Sequence, residues 1–211
     1  MTKSNIDTIV DTVVSRIQEV MDQTFEIEAS GRHIHLNREA IDFLFGEGYQ
    51  LQPAKYLSQT GEFASKERVT IEGPKGTIHD VIILGPERTN CQVEVSLTDA
   101  RMLGVKAPVR VSGNIENTPG IIVINESKSL VLDRGVIVAK RHIHVKDTDA
   151  EKLGVKDQES ISIKVFSDRP LIFEDVIVRI GHKFETYMHI DYDEANACGH
   201  KRGVRGRIVK R

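Results

Sequence analysis

Arg32-His33-Ile34-His35-Leu36 and Arg141-His142-Ile143-His144-Val145 are one phrase written twice, 109 residues apart from His33 to His142. In an extended strand residues i and i+2 share a face. Each copy therefore presents two histidines on one side and an isoleucine on the other. The copies continue in parallel. Val93-Glu94-Val95-Ser96-Leu97-Thr98-Asp99-Ala100, then Leu103-Gly104, matches Met188-His189-Ile190-Asp191-Tyr192-Asp193-Glu194-Ala195, then Cys198-Gly199. Between these anchors, Asp80-Val81-Ile82-Ile83-Leu84-Gly85 resembles Asp175-Val176-Ile177-Val178-Arg179-Ile180-Gly181. Glu94 then falls opposite His189, and Arg88 opposite Lys183. From the second histidine to the end anchor the first copy runs 59 residues (35 to 94) and the second 45 (144 to 189). An insertion of about 14 residues is therefore expected within 45–66, containing Lys55 and Gly61. A duplicated unit packs on its twin about a pseudo-two-fold axis, which brings equivalent positions face to face.

Working outward, residues 5–21 read as a helix. Ile6, Val10, Val13, Ile17 and Val20 form one apolar stripe, with Ile9, Val14 and Met21 beside it. Ser4 or Asn5 can cap it. Strands are expected at about 25–30, 68–72, 77–84, 92–96, 108–113, 120–125, 135–140, 159–166, 171–180 and 186–191. Short helices are expected at about 37–46, 98–103, 147–153 and 193–198. Many short strands with few helices predict a mainly β chain built as barrels or sandwiches.

Composition narrows the classes. The 211 residues carry 39% apolar and 28% charged side chains, ordinary for a soluble globular chain. A net charge of −2 argues against a nucleic-acid binder. No apolar run approaches a membrane span, and no basic stretch with an apolar core suggests a secretory signal. Cys91 and Cys198 have no partner motif, so a disulfide framework is not expected. Lys201, Arg202, Arg205, Arg207, Lys210 and Arg211 crowd the end of the chain, as a solvated tail or edge strand, or as a patch for a phosphorylated ligand.

Five of the eight histidines fall in the repeat. Each half offers a histidine pair plus one ligand from a later strand: His33, His35 and Glu94 in the first, His142, His144 and His189 in the second. Three ligands per metal is the count of a catalytic site that keeps a position open, and neutral imidazole with carboxylate suits zinc, with cobalt, nickel or iron as alternatives. His79, His182 and His200 lie outside the pattern and read as surface residues. Arg88, six residues before Glu94, can sit at the mouth of the site, where a guanidinium fork suits a phosphate or carboxylate. No phosphate loop, nucleophile elbow or dinucleotide-binding glycine pattern is present.

These residues resemble a known family. Ser30 to Leu36, Leu57-Ser58-Gln59-Thr60-Gly61-Glu62-Phe63-Ala64, Gly85-Pro86-Glu87-Arg88 with Gln92 to Ser96, the second Arg-His-Ile-His-Val, and Met188-His189-Ile190-Asp191 with Asp193 to Ala197 are similar to the phosphate propanoyltransferases of propanediol utilisation in bacterial microcompartments. The resemblance covers about residues 25–211. It implies two β-barrels from a duplicated unit with short capping helices, one barrel from residues 32–139 and the other from 23–31 plus 140–211. It implies interconversion of acyl-coenzyme A (propanoyl or acetyl) plus phosphate with acyl phosphate plus coenzyme A. Two zinc ions on the six ligands above are implied, with Arg88 binding phosphate and Gln92 and Ser112 near the metals. Coenzyme A contacts map onto Ser30, Lys55, Leu84, His189 and Asn196. The chain departs from the family at Gly31, where asparagine is frequent, and at Ile82, where many members carry an arginine that helps hold coenzyme A. The helix within 1–22 resembles an encapsulation peptide for microcompartment shell or core proteins, or else packs on its own barrel or a second subunit. A homo-oligomer in a cytoplasmic microcompartment is expected.

No side-chain nucleophile stands near the site, so direct transfer without an acyl-enzyme is expected. The alternatives are a two-metal hydrolase of a thioester or phosphate ester, and a metal-stabilised shell-associated protein without catalysis.

Overall fold

The computed structural model describes residues 3–209, so Lys210 and Arg211 of the basic run lie outside the described residues. Helix α1 (Lys3–Asp22) leads into β1 (Phe25–Ala29) and β2 (His33–His35). The first half continues with α2 (Arg38–Phe45), β3 (Pro53–Tyr56), β4 (Phe63–Glu72), β5 (Thr77–Gly85), β6 (Gln92–Glu94), α3 (Leu97–Leu103), β7 (Val109–Arg110), β8 (Ile121–Asn125) and β9 (Lys128–Leu132). The second runs through β10 (Val136–Ala139), β11 (His142–Lys146), α4 (Asp147–Leu153), β12 (Ser160–Phe166), β13 (Ile172–Gly181), β14 (Tyr187–Ile190), α5 (Tyr192–Cys198) and β15 (Arg205–Val209).

The chain is mainly β, as expected. Six strands close a barrel in the order β1-β14-β11-β13-β12-β15, whereas the first-half sheet runs open from β7 through β10, β6, β2, β5, β4 and β8 to β9, with β3 on β4. The strand expected over 108–113 contracts to Val109–Arg110, and the insertion builds β3 and the turn after it. Arg205 and Arg207 of the basic run lie in neither a tail nor an edge: they sit on β15, which closes the barrel between β1 and β12.

Each half lends its leading strand to the other. β1 pairs parallel with β14, Glu28 opposite His189, although four residues after β1 ends the chain is in the other sheet. β10 pairs parallel with β6, Ile137 opposite Glu94, just before the chain enters the barrel at β11. Both histidine phrases therefore sit at the crossovers between halves.

The pattern of alternation explains which way the histidines face. Ile34 and Ile143 are fully buried in the two separate cores. Ile34 packs with Val81, Ile83, Val93 and Val95, and Ile143 with the matching Val176, Val178, Met188 and Ile190. Fully burying an isoleucine is worth about 1.5–3 kcal/mol, so a one-residue slip that turned it out of the core and put both imidazoles in its place is strongly disfavoured. With the isoleucine inward, the histidines of each half must face the other half.

Candidate functional site

Within each half the three ligands are brought together by strand pairing. His33 lies opposite Glu94 across β2 and β6, and His142 lies opposite His189 across β11 and β14. The motif arginines secure the same junction. Arg32 grips Asp99 at 2.8 and 3.0 Å, and Arg141 reaches Glu194 at 2.7 Å. Asp99 and Glu194 are the third residues of α3 and α5, where each closes a capping box with Ser96 or Asp191. Each arginine thus ties the histidine strand to the helix that follows the third ligand.

The ligand atoms of His33, His35 and Glu94 lie within 4.8 Å of one another, and so do those of His142, His144 and His189. Both groups line one cavity of about 1040 Å³ between the halves. They lie close enough for the Glu94 charge to act on His142 and His189.

Backbone carbonyls fix two of the rings. His33 Nδ1 is 2.9 Å from the Gly31 carbonyl, and His142 Nδ1 is 2.9 Å from that of Lys140. The proton on Nδ1 leaves Nε2 as the free lone pair. His35 Nδ1, His144 Nε2 and His189 Nε2 are buried with no hydrogen-bond partner among the described residues. Buried polar atoms are rarely left so, and a role as a metal ligand is one of the few reasons. Their protonation state agrees. Burial, with neighbouring positive charge, pushes His35 down to about 3, His144 to about 2 and His189 to about 3. Burial also lowers His142. These imidazoles are neutral at pH 7, the form a metal requires. Burial opposes protonation of His33 too, but the Glu94 charge and their 3.4 Å contact outweigh it and raise His33. Burial pushes Glu94 up, and the His33 charge and hydrogen bond more than reverse this, so Glu94 stays a carboxylate. The donor set and its orphaned nitrogens fit two zinc-type cations.

Glu94 is supported from behind. Gln92 Nε2 donates to its Oε1 at 2.6 Å and Ser112 Oγ donates to the same oxygen at 2.7 Å. The Gly113 amide in turn holds Gln92 Oε1 at 2.7 Å. Arg88 lines the cavity with its backbone amide on the Leu36 carbonyl and its guanidinium 3.5 Å from Ser112 Oγ and 3.3 Å from Glu62.

The comparisons agree with this construction. A family model described as phosphate propanoyltransferase matches residues 26–201. A phosphate propanoyltransferase of Enterococcus faecalis is 57% identical over 206 residues, 98% of each chain. That of Listeria monocytogenes is 54% identical over 206 residues, 95% of this chain and 97% of its own. That of Thermotoga maritima is 49% identical over 196 residues, 90% of this chain and 93% of its own. This chain belongs to the phosphate propanoyltransferase family. It is an acyltransferase, with phosphotransacylase activity.

Within this phosphate propanoyltransferase fold, Ser30, Lys55 and Leu84 line the cavity with the six ligands, whereas Asn196 is exposed on α5 and is not part of the lining. Gly31 has a local reason: a Cβ there would lie 2.5 Å from the Tyr192 ring, so the aromatic fills the space a side chain would need. Ile82, opposite His33, also lines the cavity. An arginine comes instead from the other half. Arg179 lies opposite His144, lines the cavity, and its charge helps depress the three second-half histidines. No hydrogen bond or ion pair holds its guanidinium among the described residues. Sequence reading passed over it because it stands at the position of Leu84 in the repeat. His200 corrects the expectation of a surface histidine: it is half-buried in the cavity wall with Nε2 2.7 Å from the Ile27 carbonyl. His79 and His182 are exposed. Of the basic run, Arg202 reaches the cavity.

Proposed function

We propose that this enzyme transfers an acyl group, propanoyl or acetyl, directly between coenzyme A and inorganic phosphate at a two-zinc site. The observation that carries the reading is the convergence of two three-ligand groups with orphaned nitrogens on one cavity that also holds Arg88. His33, His35 and Glu94 would hold one ion, and His142, His144 and His189 the other. Bound there, the ions supply Lewis acidity toward developing negative charge. Arg88 presents a fork to phosphate and orients one of its oxygens toward the thioester carbonyl. A carbon–oxygen bond forms, the carbon–sulfur bond breaks, and the departing thiolate takes up the proton that the attacking hydrogen phosphate gives up, becoming the thiol of coenzyme A. Arg179 faces the same space and offers a second cation to the anionic substrates. Ser30, Lys55 and Leu84 are the cavity positions for coenzyme A. Gln92 and Ser112 keep Glu94 in place, and Ser112 also meets Arg88.

The same reading gives α1 a partner. Ile6, Ile9, Val10, Val13, Val14 and Ile17 are each at least half exposed, so this part of the apolar stripe is not buried by its own chain; the side chains of Val20 and Met21 lie outside the described residues. It would dock on microcompartment shell or core proteins, placing a homo-oligomeric enzyme in that compartment. No helix among the described residues is long and apolar enough to cross a membrane.

The test follows free thiol released from propanoyl-coenzyme A with and without phosphate. Phosphate-dependent release that Arg88→Ala weakens by raising the Michaelis constant for phosphate supports the proposal. Release without phosphate points to hydrolysis and refutes transfer.

A further inference from the structure

The insertion in the first half ends in a tight turn whose residues reach Arg88 on one side and His144 on the other. Glu62 N–H bonds the Gln59 carbonyl at 3.1 Å and Leu57 N–H bonds the Glu62 carbonyl at 3.0 Å. Gly61 takes φ +87, the left-handed value that the third residue of such a turn needs. The turn is fastened to the opposite half. Ser58 Oγ donates to Glu28 at 2.8 Å, and Thr60 N–H bonds the Lys183 carbonyl at 3.3 Å. This is a rigid platform for two side chains. Glu62 accepts from Arg88 at 3.3 Å. In the orientation that matches donors to acceptors, the Gln59 amide donates to both Glu62 oxygens at 3.2 and 3.0 Å and accepts from His144 Nδ1 at 3.1 Å. That last bond leaves His144 Nε2, the buried orphan, as its ligand atom.

Both contacts of the Arg88 guanidinium are long, 3.3 Å to Glu62 and 3.5 Å to Ser112. The pair is partly open, with side-chain exposures of 36% and 26%. A fork held this loosely by one carboxylate is poised to exchange it for a better oxyanion. We propose that Glu62 is a displaceable anion that holds Arg88 in line until inorganic phosphate takes its place. Gln59 retains the released carboxylate and ties the exchange to His144. Glu62 is thus a positioning residue that sets phosphate affinity by competing with phosphate. This rests on the reading of Arg88 as the phosphate residue.

The experiment titrates the metal-loaded full chain with inorganic phosphate by calorimetry, for the wild type, Glu62→Gln and Arg88→Ala. Losing a partly exposed competing pair should tighten phosphate by ~2- to 5-fold in Glu62→Gln. The Michaelis constant for phosphate should fall by the same factor while that for propanoyl-coenzyme A stays, a split that general loosening of the turn would not give. Glu62→Asp, whose shorter carboxylate falls short of Arg88, should tighten phosphate as well and serves if the glutamine variant does not fold. Phosphate binding that is unchanged or weaker in the Glu62 variants, while Arg88→Ala loses it, overturns the proposal and leaves the site reading standing. Phosphate binding that Arg88→Ala leaves unweakened overturns both.

Discussion

Ser112→Ala tests one of the two proposed metal sites apart from the other. The Ser112 hydroxyl donates to Glu94 Oε1 at 2.7 Å, beside the 2.6 Å bond from Gln92. Glu94 is 8% exposed, so water cannot readily take the place of a lost donor. A hydrogen bond to a buried charge is worth about 1.5–3 kcal/mol, and each 1.4 kcal/mol or so is tenfold in an equilibrium constant. The substitution should therefore cost about 10- to 100-fold in metal affinity at His33, His35 and Glu94, the range found for outer hydrogen-bond partners of metal ligands. The second group should not change, because its third ligand is the imidazole of His189 and Ser112 does not touch it. The assay is a competition titration with a chromophoric zinc chelator, fitted to two sites. Binding is the right readout because Ser112 also meets Arg88, which would confound a rate. One site weakened and one unchanged is the expected result. Equal weakening of both sites, or of neither, would refute the reasoning that Ser112 acts through Glu94.

Three further outcomes follow from the same geometry. His35, His144 and His189 titrate near 3, 2 and 3 when folded and near 6.5 when unfolded. Between those values the unfolded chain binds more protons, so metal-free protein should lose stability as pH falls below about 6.5, by up to about 1.4 kcal/mol per pH unit per histidine; urea midpoints of chelated protein at pH 7, 6 and 5 check the sign. Removal of residues 1–22 should leave thermal stability within about 0.5 kcal/mol of the intact chain, because the α1 stripe is exposed, while association with shell proteins is lost; calorimetry and co-sedimentation measure the two effects. Arg179→Leu should weaken coenzyme A or phosphate binding without loss of bound metal, since the guanidinium faces the cavity but ligates nothing; calorimetry with each ligand, beside metal analysis, separates the outcomes.

The clustering of the six candidate ligands was legible in sequence because each sits in a repeated position whose geometry is local. A two-residue spacing on a strand fixes the face, and the matched end anchors fix the third ligand. Arg88 was readable from its distance to Glu94. The barrel-forming tendency followed from the short alternating runs, but closure did not: whether a sheet meets itself depends on pairings such as β1 with β15, 180 positions apart from Phe25 to Arg205. Gln59 and Glu62 escaped because they lie in the insertion, which has no counterpart to compare. Their contacts with His144 and Arg88 exist only once the turn is fastened across the halves. Arg179 escaped for the opposite reason. It has a counterpart, Leu84, but the aligned stretches, Asp80 to Gly85 and Asp175 to Gly181, differ by one residue and left the register open until β11 and β13 were seen to pair. His200 shows the limit of pattern alone, since a residue outside the repeat can still fold back onto the Ile27 carbonyl.

The most direct test of the two-metal account is the number of ions each chain carries. Native mass spectrometry of zinc-loaded protein should give two per chain in the wild type. His33→Ala with His35→Ala should leave one, and His142→Ala with His144→Ala should leave one. A wild type that binds a single ion or none, or double variants that still carry two, would contradict the account.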